Sequence, residues 1–158
     1  MMKHSQPKVE FDLKQPIQFL ALGFGSGLAP KAPGTFGTLA AIPVFLLLTM
    51  LSPLFYFFTV ILLSIAGVYI CGKAAEAVNV HDHPAIVWDE FVGYFITMFM
   101  VPLSWQSVAV GFILFRLFDI LKPWPISFID KKMTGGFGIM LDDILAGAFA
   151  LVIMQLIF

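Results

Sequence analysis

Charged and apolar residues are segregated along this chain. Residues 32–72 form a run of 41 without charge, residues 91–115 a run of 25, and after Asp143 no charge appears before Phe158. A helix crossing a membrane needs roughly 20 apolar residues. The first run has room for two, broken at Leu51-Ser52-Pro53, which predicts helices near Thr35–Met50 and Leu54–Cys71. The second run turns at Pro102-Leu103-Ser104-Trp105, and each arm of about twelve uncharged residues rises only about 18 Å, short of the roughly 30 Å hydrocarbon core. Either this hairpin is re-entrant, or its helices continue through Asp89 and Glu90 on one side and Arg116 and Asp119 on the other. The second reading is favoured, and it sets acids and an arginine at matched depth on neighbouring helices. A last helix is predicted over about Leu141–Phe158, with Asp142 and Asp143 at its start. Ile17–Ala29 is apolar and glycine-rich but too short to cross, which suits an interfacial or re-entrant segment.

Composition agrees with the pattern. Hydrophobic residues make up 59% of the 158, and charged residues 12%, about half the usual quarter for soluble domains; mean hydropathy is +0.94. The expected fold is an all-α integral membrane protein of about five membrane helices, two hairpins plus a C-terminal helix. Residues 1–16 read as a cytoplasmic tail and 17–158 as one membrane-embedded domain. A net charge of −1 gives no electrostatic reason to expect a nucleic-acid partner. The single cysteine, Cys71, lies in an apolar run and suits packing.

The charge map also sets topology. Every charged or histidine side chain falls in the N-terminal tail, the two loops on its side, or the helix ends facing them. The opposite turns, at Ser52-Pro53 and Ser104-Trp105, are bare. The positive-inside rule assigns the side with Lys3, Lys8, Lys14, Lys31, Lys73, Lys122, Lys131 and Lys132 to the cytoplasm.

On that side lie the acids Asp82, Asp89, Glu90, Asp119, Asp130, Asp142 and Asp143. Converging carboxylates without thiolates suit a hard cation such as Mg²⁺. Arg116 and Lys122 stand at i−3 and i+3 from Asp119 and share its helix face; a guanidinium beside metal-bound carboxylates can clamp a phosphate. Each piece also has a plainer reading. Asp89 with Glu90, and Asp142 with Asp143, could favour helix N-termini, and Arg116 with Asp119 could be an ordinary ion pair. His81 and His83 bracket Asp82 in a loop, where they could support a metal site or simply face solvent. The stretch "GFGSGLAPKAPGTFGT" (Gly23–Thr38) precedes the first long helix. It reads as a phosphate cradle offering Gly25, Ser26, Lys31, Gly34 and Thr35, with Thr35 capping the helix, or as a tight turn in which glycine and proline fit the backbone.

Several phosphate chemistries are excluded by missing residues. There is no Cys-x5-Arg, no D-x-D pair, no P-S-G-H core and no D-G-x2-A-R start. "GVYICGKA" (Gly67–Ala74) has G-x4-G-K but lacks the Ser or Thr for magnesium and follows no strand. A transporter would place polar groups at midplane and on both faces, and a non-catalytic subunit would have no use for seven acids on one side; both remain as alternatives.

Together "GFGSGLAPKAPGTFGTLAAIP", "HDHPAIVWDEFVG", "FRLFDILKPWPI" and "GGFGIMLDDILAG" resemble phosphatidylglycerophosphatase A, a bacterial inner-membrane lipid phosphatase, from about Phe19 to Gly147. The resemblance implies Mg²⁺-dependent removal of the terminal phosphate of phosphatidylglycerophosphate, giving phosphatidylglycerol. On that expectation Asp89, Glu90, Asp142 and Asp143 hold one or two Mg²⁺ ions, and Asp119 adds a ligand or acts as base. Arg116 and Lys122 neutralise the phosphoryl oxygens.

Overall fold

A computed structural model describes residues 10–158. Those residues form seven α-helices and no strand: α1 Pro16–Ala21, α2 Pro33–Leu48, α3 Pro53–Val78, α4 Trp88–Thr97, α5 Trp105–Leu121, α6 Ile126–Lys132 and α7 Gly135–Ile157. A 3₁₀ turn at Ser26–Leu28 lies between α1 and α2.

Local chemistry sets the boundaries. Proline occupies the first turn of α1, α2 and α3, where its missing N–H costs nothing. Ser52 accepts from the Phe55 N–H at the start of α3. Ser104 and Ser107 form a reciprocal capping box at the start of α5. Asn79 and Lys122 end α3 and α5 in the left-handed conformation.

The short helix α4 is the centre of the bundle. Nine of its ten residues are buried, with α2, α3, α5 and α7 packed around it. At 1.5 Å per residue it rises about 15 Å, whereas α3 and α7 rise about 39 and 34 Å. Among the described residues, α3 and α7 are the two helices long and apolar enough to cross a membrane. The outward face of α3 is as apolar as the core, with Leu54, Phe55, Phe58, Leu62, Ile65 and Tyr69 all exposed.

Neutral polar groups inside the bundle are paired with main-chain carbonyls, as an apolar interior requires. Tyr56 donates to Phe95 O, Tyr94 to Val108 O, Thr97 to Gly93 O and Trp88 Nε1 to Leu63 O.

Three expectations need correction, and one segment gains detail. The first long helix starts at Pro33, with Ala32 in the cap position and no side-chain cap; Thr35 is inside the helix and does not cap it. The second continues past Cys71 to Val78, because Lys73 and Glu76 pair on an exposed face and do not interrupt it. The last begins at Gly135, so Asp142 and Asp143 lie two turns inside it, not at its N-terminus. Ile17–Ala29 is α1, two tight turns and the 3₁₀ segment, held by the Val87 N–H donating to Ala21 O at 2.8 Å. Asp89 and Glu90 do lie within α4, and Arg116 and Asp119 within α5, but α4 stops at Thr97 and gains no length from including its acids.

Candidate functional site

Two glycines bring the acids together. A Cβ at Gly147 of α7 would lie 2.5 Å from Gly93 O of α4, and one at Gly93 would lie 2.4 Å from the Phe115 ring. Only glycine permits so close a crossing. Asp89 stands one turn before Gly93, and Asp143 one turn before Gly147. Residues four apart share a helix face, so the close crossing of the backbones sets the two carboxylates side by side.

Glu90 joins them. Asp89, Glu90 and Asp143 are all buried, and each offers an oxygen within 4.8 Å of the others'. Asp89 Oδ1, Glu90 Oε2 and Asp143 Oδ2 have no hydrogen-bond partner. Three buried carboxylates, each with an unpaired oxygen, are costly unless a cation completes them. An all-oxygen donor set fits Mg²⁺ better than a softer metal.

Arg116 borders this trio. It pairs with Asp119 one turn on and lies 3.9 Å from Glu90 Oε1, while its buried Nε has no partner. Gly34, in the first turn of α2, approaches the same spot. A Cβ there would lie 2.8 Å from Glu90 Oε1 and 3.0 Å from Arg116 Nη2.

Beyond Asp119 the charges continue into a second group. Lys122 Nζ lies 3.3 Å from Asp142 Oδ2, 3.6 Å from Asp130 Oδ1 and 4.0 Å from Asp119 Oδ1. Burial works against the ammonium, but Asp142, Asp119 and Asp130 outweigh it and hold the Lys122 pKa above its ordinary value. Asp82, Asp130 and Asp142 also offer oxygens within 4.8 Å of one another. Asp142 is therefore grouped apart from its neighbour Asp143, because successive residues on a helix point about 100° apart. Asp119 has both oxygens on cations and belongs to neither carboxylate trio.

The glycine-rich stretch is mainly a packing device. Cβ atoms at Gly27 and Gly37 would collide with Ala85 O and Val87, and one at Gly23 with Val87 and Phe91. Close approach here seats the strap from α1 to α2 on the loop entering α4. Gly25 has φ +96° with nothing within 4 Å of a Cβ, so backbone conformation explains it. The Ser26 hydroxyl donates to Gly23 O at 2.8 Å, closing its own turn, and Lys31 is exposed. Of the expected phosphate contacts in this stretch, Gly34 packs directly against Glu90 and Arg116, and Thr35 follows it half-buried in the helix. His83 Nδ1 accepts from the Ala85 N–H at 3.1 Å and its ring meets Phe11 edge-on, so it shapes its own loop. His81 is exposed beside Asp82.

Asp130, on α6, was among the charged-side acids in the sequence but not among the expected site residues. Its signal was weak, since α6 is seven residues long and carries no periodicity of its own.

The sequence profile of the family described as "PgpA: Phosphatidylglycerophosphatase A" matches residues 19–158. A protein of Escherichia coli K12 named phosphatidylglycerophosphatase A is 48% identical over 151 residues, covering 95% of this chain and 88% of its own length. One of the same name from Haemophilus influenzae is 47% identical over 156 residues, covering 97% and 95%. A Bacteroides thetaiotaomicron protein, provisionally named a phosphatidylinositol-3-phosphatase, is 36% identical over 148 residues, covering 85% and 89%. No solved structure matches the chain.

Proposed function

This chain belongs to the phosphatidylglycerophosphatase A family, and from that membership we propose that it hydrolyses the terminal phosphate of phosphatidylglycerophosphate to give phosphatidylglycerol, using Mg²⁺ at the cytoplasmic face of a bacterial inner membrane. The observation that carries this reading is the trio Asp89, Glu90 and Asp143, with three unpaired buried oxygens beside Arg116.

In this mechanism the trio would hold Mg²⁺, which when bound offsets phosphate charge and makes water more acidic. Asp119 fixes the Arg116 guanidinium, leaving the unpaired Nε–H to donate to a phosphoryl oxygen. The open N–H groups of the first turn of α2, around Gly34 and Thr35, add positive potential on the same side. Glu90 lies between the arginine and the other acids, placed to accept the proton of the attacking water. The water oxygen forms the new bond to phosphorus, the ester P–O bond breaks, and the proton held by Glu90 passes to the leaving glycerol oxygen. Lys122 is the counter-charge for Asp119, Asp130 and Asp142, with Asp82 at the rim, so that the second acid group does not repel an incoming phosphate.

The membrane arrangement proposed is five crossings by α2, α3, α4, α5 and α7, with the N-terminus inside. α4 completes its crossing through residues 98–104. Non-helical backbone at that depth is tolerated where protein buries it; here Met98 and Val101 are buried and Gln155 donates to Phe99 O at 2.9 Å, while Met100 and Leu103 are exposed and mark the outer end of the segment. The turn at Ser52 and the segment at Ser104 carry no charge, while the acids and lysines sit at the other end. A headgroup phosphate would meet them there with its acyl chains still in lipid.

The test is phosphate release from phosphatidylglycerophosphate by purified protein in detergent micelles. Release that needs Mg²⁺ and stops with EDTA supports the reading. Release unaffected by EDTA removes the metal, and no release removes the activity.

A further inference from the structure

A large apolar groove of about 750 Å³ lies between α2 and α5, walled by Leu39, Ile42 and Leu46 on one side and Ala109, Phe112 and Ile113 on the other. These two helices also carry Gly34 and Arg116, which meet at the charged site. Leu39 is about 7.5 Å along α2 from Gly34, and Phe112 about 6 Å along α5 from Arg116. From there the groove runs on for about 10 Å toward the uncharged end of the bundle. One surface therefore offers a charged end bearing Arg116 and an apolar trough in line, the shape of a single amphiphile.

We propose that this groove receives an acyl chain of the substrate lipid while its phosphate is held at Arg116 and the first turn of α2; the proposal rests on the lipid-phosphatase reading above. Two smaller apolar hollows lie along α3 and share no wall with α2 or α5. On the α3–α7 seam a Cβ at Gly136 would lie 1.9 Å from Val68 O, and the hollow beside Val68, Met140 and Leu141 is only about 200 Å³. The hollow of about 290 Å³ beside Tyr56, Phe99 and Ile144 is walled by α3, α4 and α7 and does not touch the helices that carry Gly34 and Arg116. The α2–α5 groove begins within two turns of the site on both walls. Its occupant contributes binding energy remote from the reacting phosphorus, which can hold the phosphate in register for attack.

The test compares kcat/KM for long-chain phosphatidylglycerophosphate with kcat/KM for its dihexanoyl analogue, in the same micelles. Six carbons reach only the near end of the groove, so the ratio reads chain contact beyond it. Ala109→Trp and Ile42→Trp fill the trough from opposite walls, and either serves should the other fail to fold. Leu62→Trp, on the exposed face of α3, adds the same side chain to a surface away from the groove. The expected result is at least a fivefold fall in the ratio for the groove variants and no change for Leu62→Trp. An unchanged ratio in the groove variants, or an equal fall in Leu62→Trp, overturns the groove and leaves the chains in bulk lipid. Failure of the wild-type protein to hydrolyse either substrate overturns the phosphatase reading itself.

Discussion

Alanine at Gly34 separates a catalytic role for this glycine from a structural one. Gly34 sits in the first turn of α2 with no left-handed φ, so alanine suits the backbone and is the better helix former, by up to about 1 kcal/mol in a helix interior. Its methyl, however, would arrive 2.8 Å from Glu90 Oε1 and 3.0–3.1 Å from both Arg116 Nη atoms. Ordinary contact begins at 3.4 Å, so the carboxylate must retreat by about 0.6 Å. Both neighbours are the ends of flexible side chains, so the retreat costs little stability. The cost falls on geometry at the proposed phosphate site, where a misplacement of about 1 Å can cost about 10²-fold in rate. A shift of this size should lower kcat/KM about 10- to 30-fold, or about 1.4–2 kcal/mol in the barrier. Thermal unfolding in detergent should show no loss of Tm. Gly25→Ala supplies the opposite signature: φ is +96° with empty space around the Cβ, so strain of about 1 kcal/mol lowers Tm while kcat stays near wild type. Gly34→Ala activity within twofold of wild type, or a Tm loss that accounts for the activity loss, would refute the reasoning.

Three further outcomes follow from the same geometry. Mg²⁺ at about 100 times its Kd should stabilise the wild-type protein by about 2.7 kcal/mol, a Tm rise of roughly 5–10 °C for a chain this size; Asp143→Asn should abolish that rise without lowering the metal-free Tm, since it relieves repulsion among three buried acids. Arg116→Lys should lower kcat/KM at least about 100-fold, because an ammonium cannot hold Asp119, face Glu90 and donate to phosphate in one plane; retention of activity would mean only a positive charge is needed. Lys122→Met leaves Asp119, Asp130 and Asp142 without their shared cation and should destabilise by about 1–3 kcal/mol, less than the 3–5 of a fully buried pair because Lys122 keeps some solvent access. Detergent-unfolding titrations should show part of that loss recovered in Lys122→Met/Asp142→Asn.

The fold was legible where charge and punctuation mark it. The start of the bare run at residue 32, the break at Ser52-Pro53 and the turn at Pro102-Leu103-Ser104-Trp105 each placed a helix boundary to within a few residues. Lengths were less legible, because an amphipathic or buried charge does not end a helix. α3 carries Lys73 and Glu76 on the exposed face of its last two turns, and α7 carries Asp142 and Asp143 in its third turn. α4 is the opposite case. Its ten residues are short for a membrane helix, yet surrounding helices bury it on nearly every side, a tertiary circumstance that hydropathy does not report.

The site was legible as a set of residues but not as a partition. Sequence pooled seven acids, whereas the structure groups Asp89, Glu90 and Asp143 apart from Asp82, Asp130 and Asp142. Part of that partition was open to reading. Asp142 and Asp143 are neighbours on one helix, and the 100° between them argues against a shared pocket; Asp89 and Glu90 escape the rule because the longer glutamate arm reaches round. A second signal is the repeated spacing Asp-x3-Gly, in Asp89…Gly93 and Asp143…Gly147. An acid one turn before a small residue, on two helices, is what a close crossing needs to bring two carboxylates together in an apolar interior. That spacing selects Asp143 over Asp142 and Asp89 over Glu90 as the pair fixed by backbone contact. Glu90 joins the pair through its longer arm and turns Oε1 toward Arg116 at 3.9 Å, which is why the proton transfer is assigned to it.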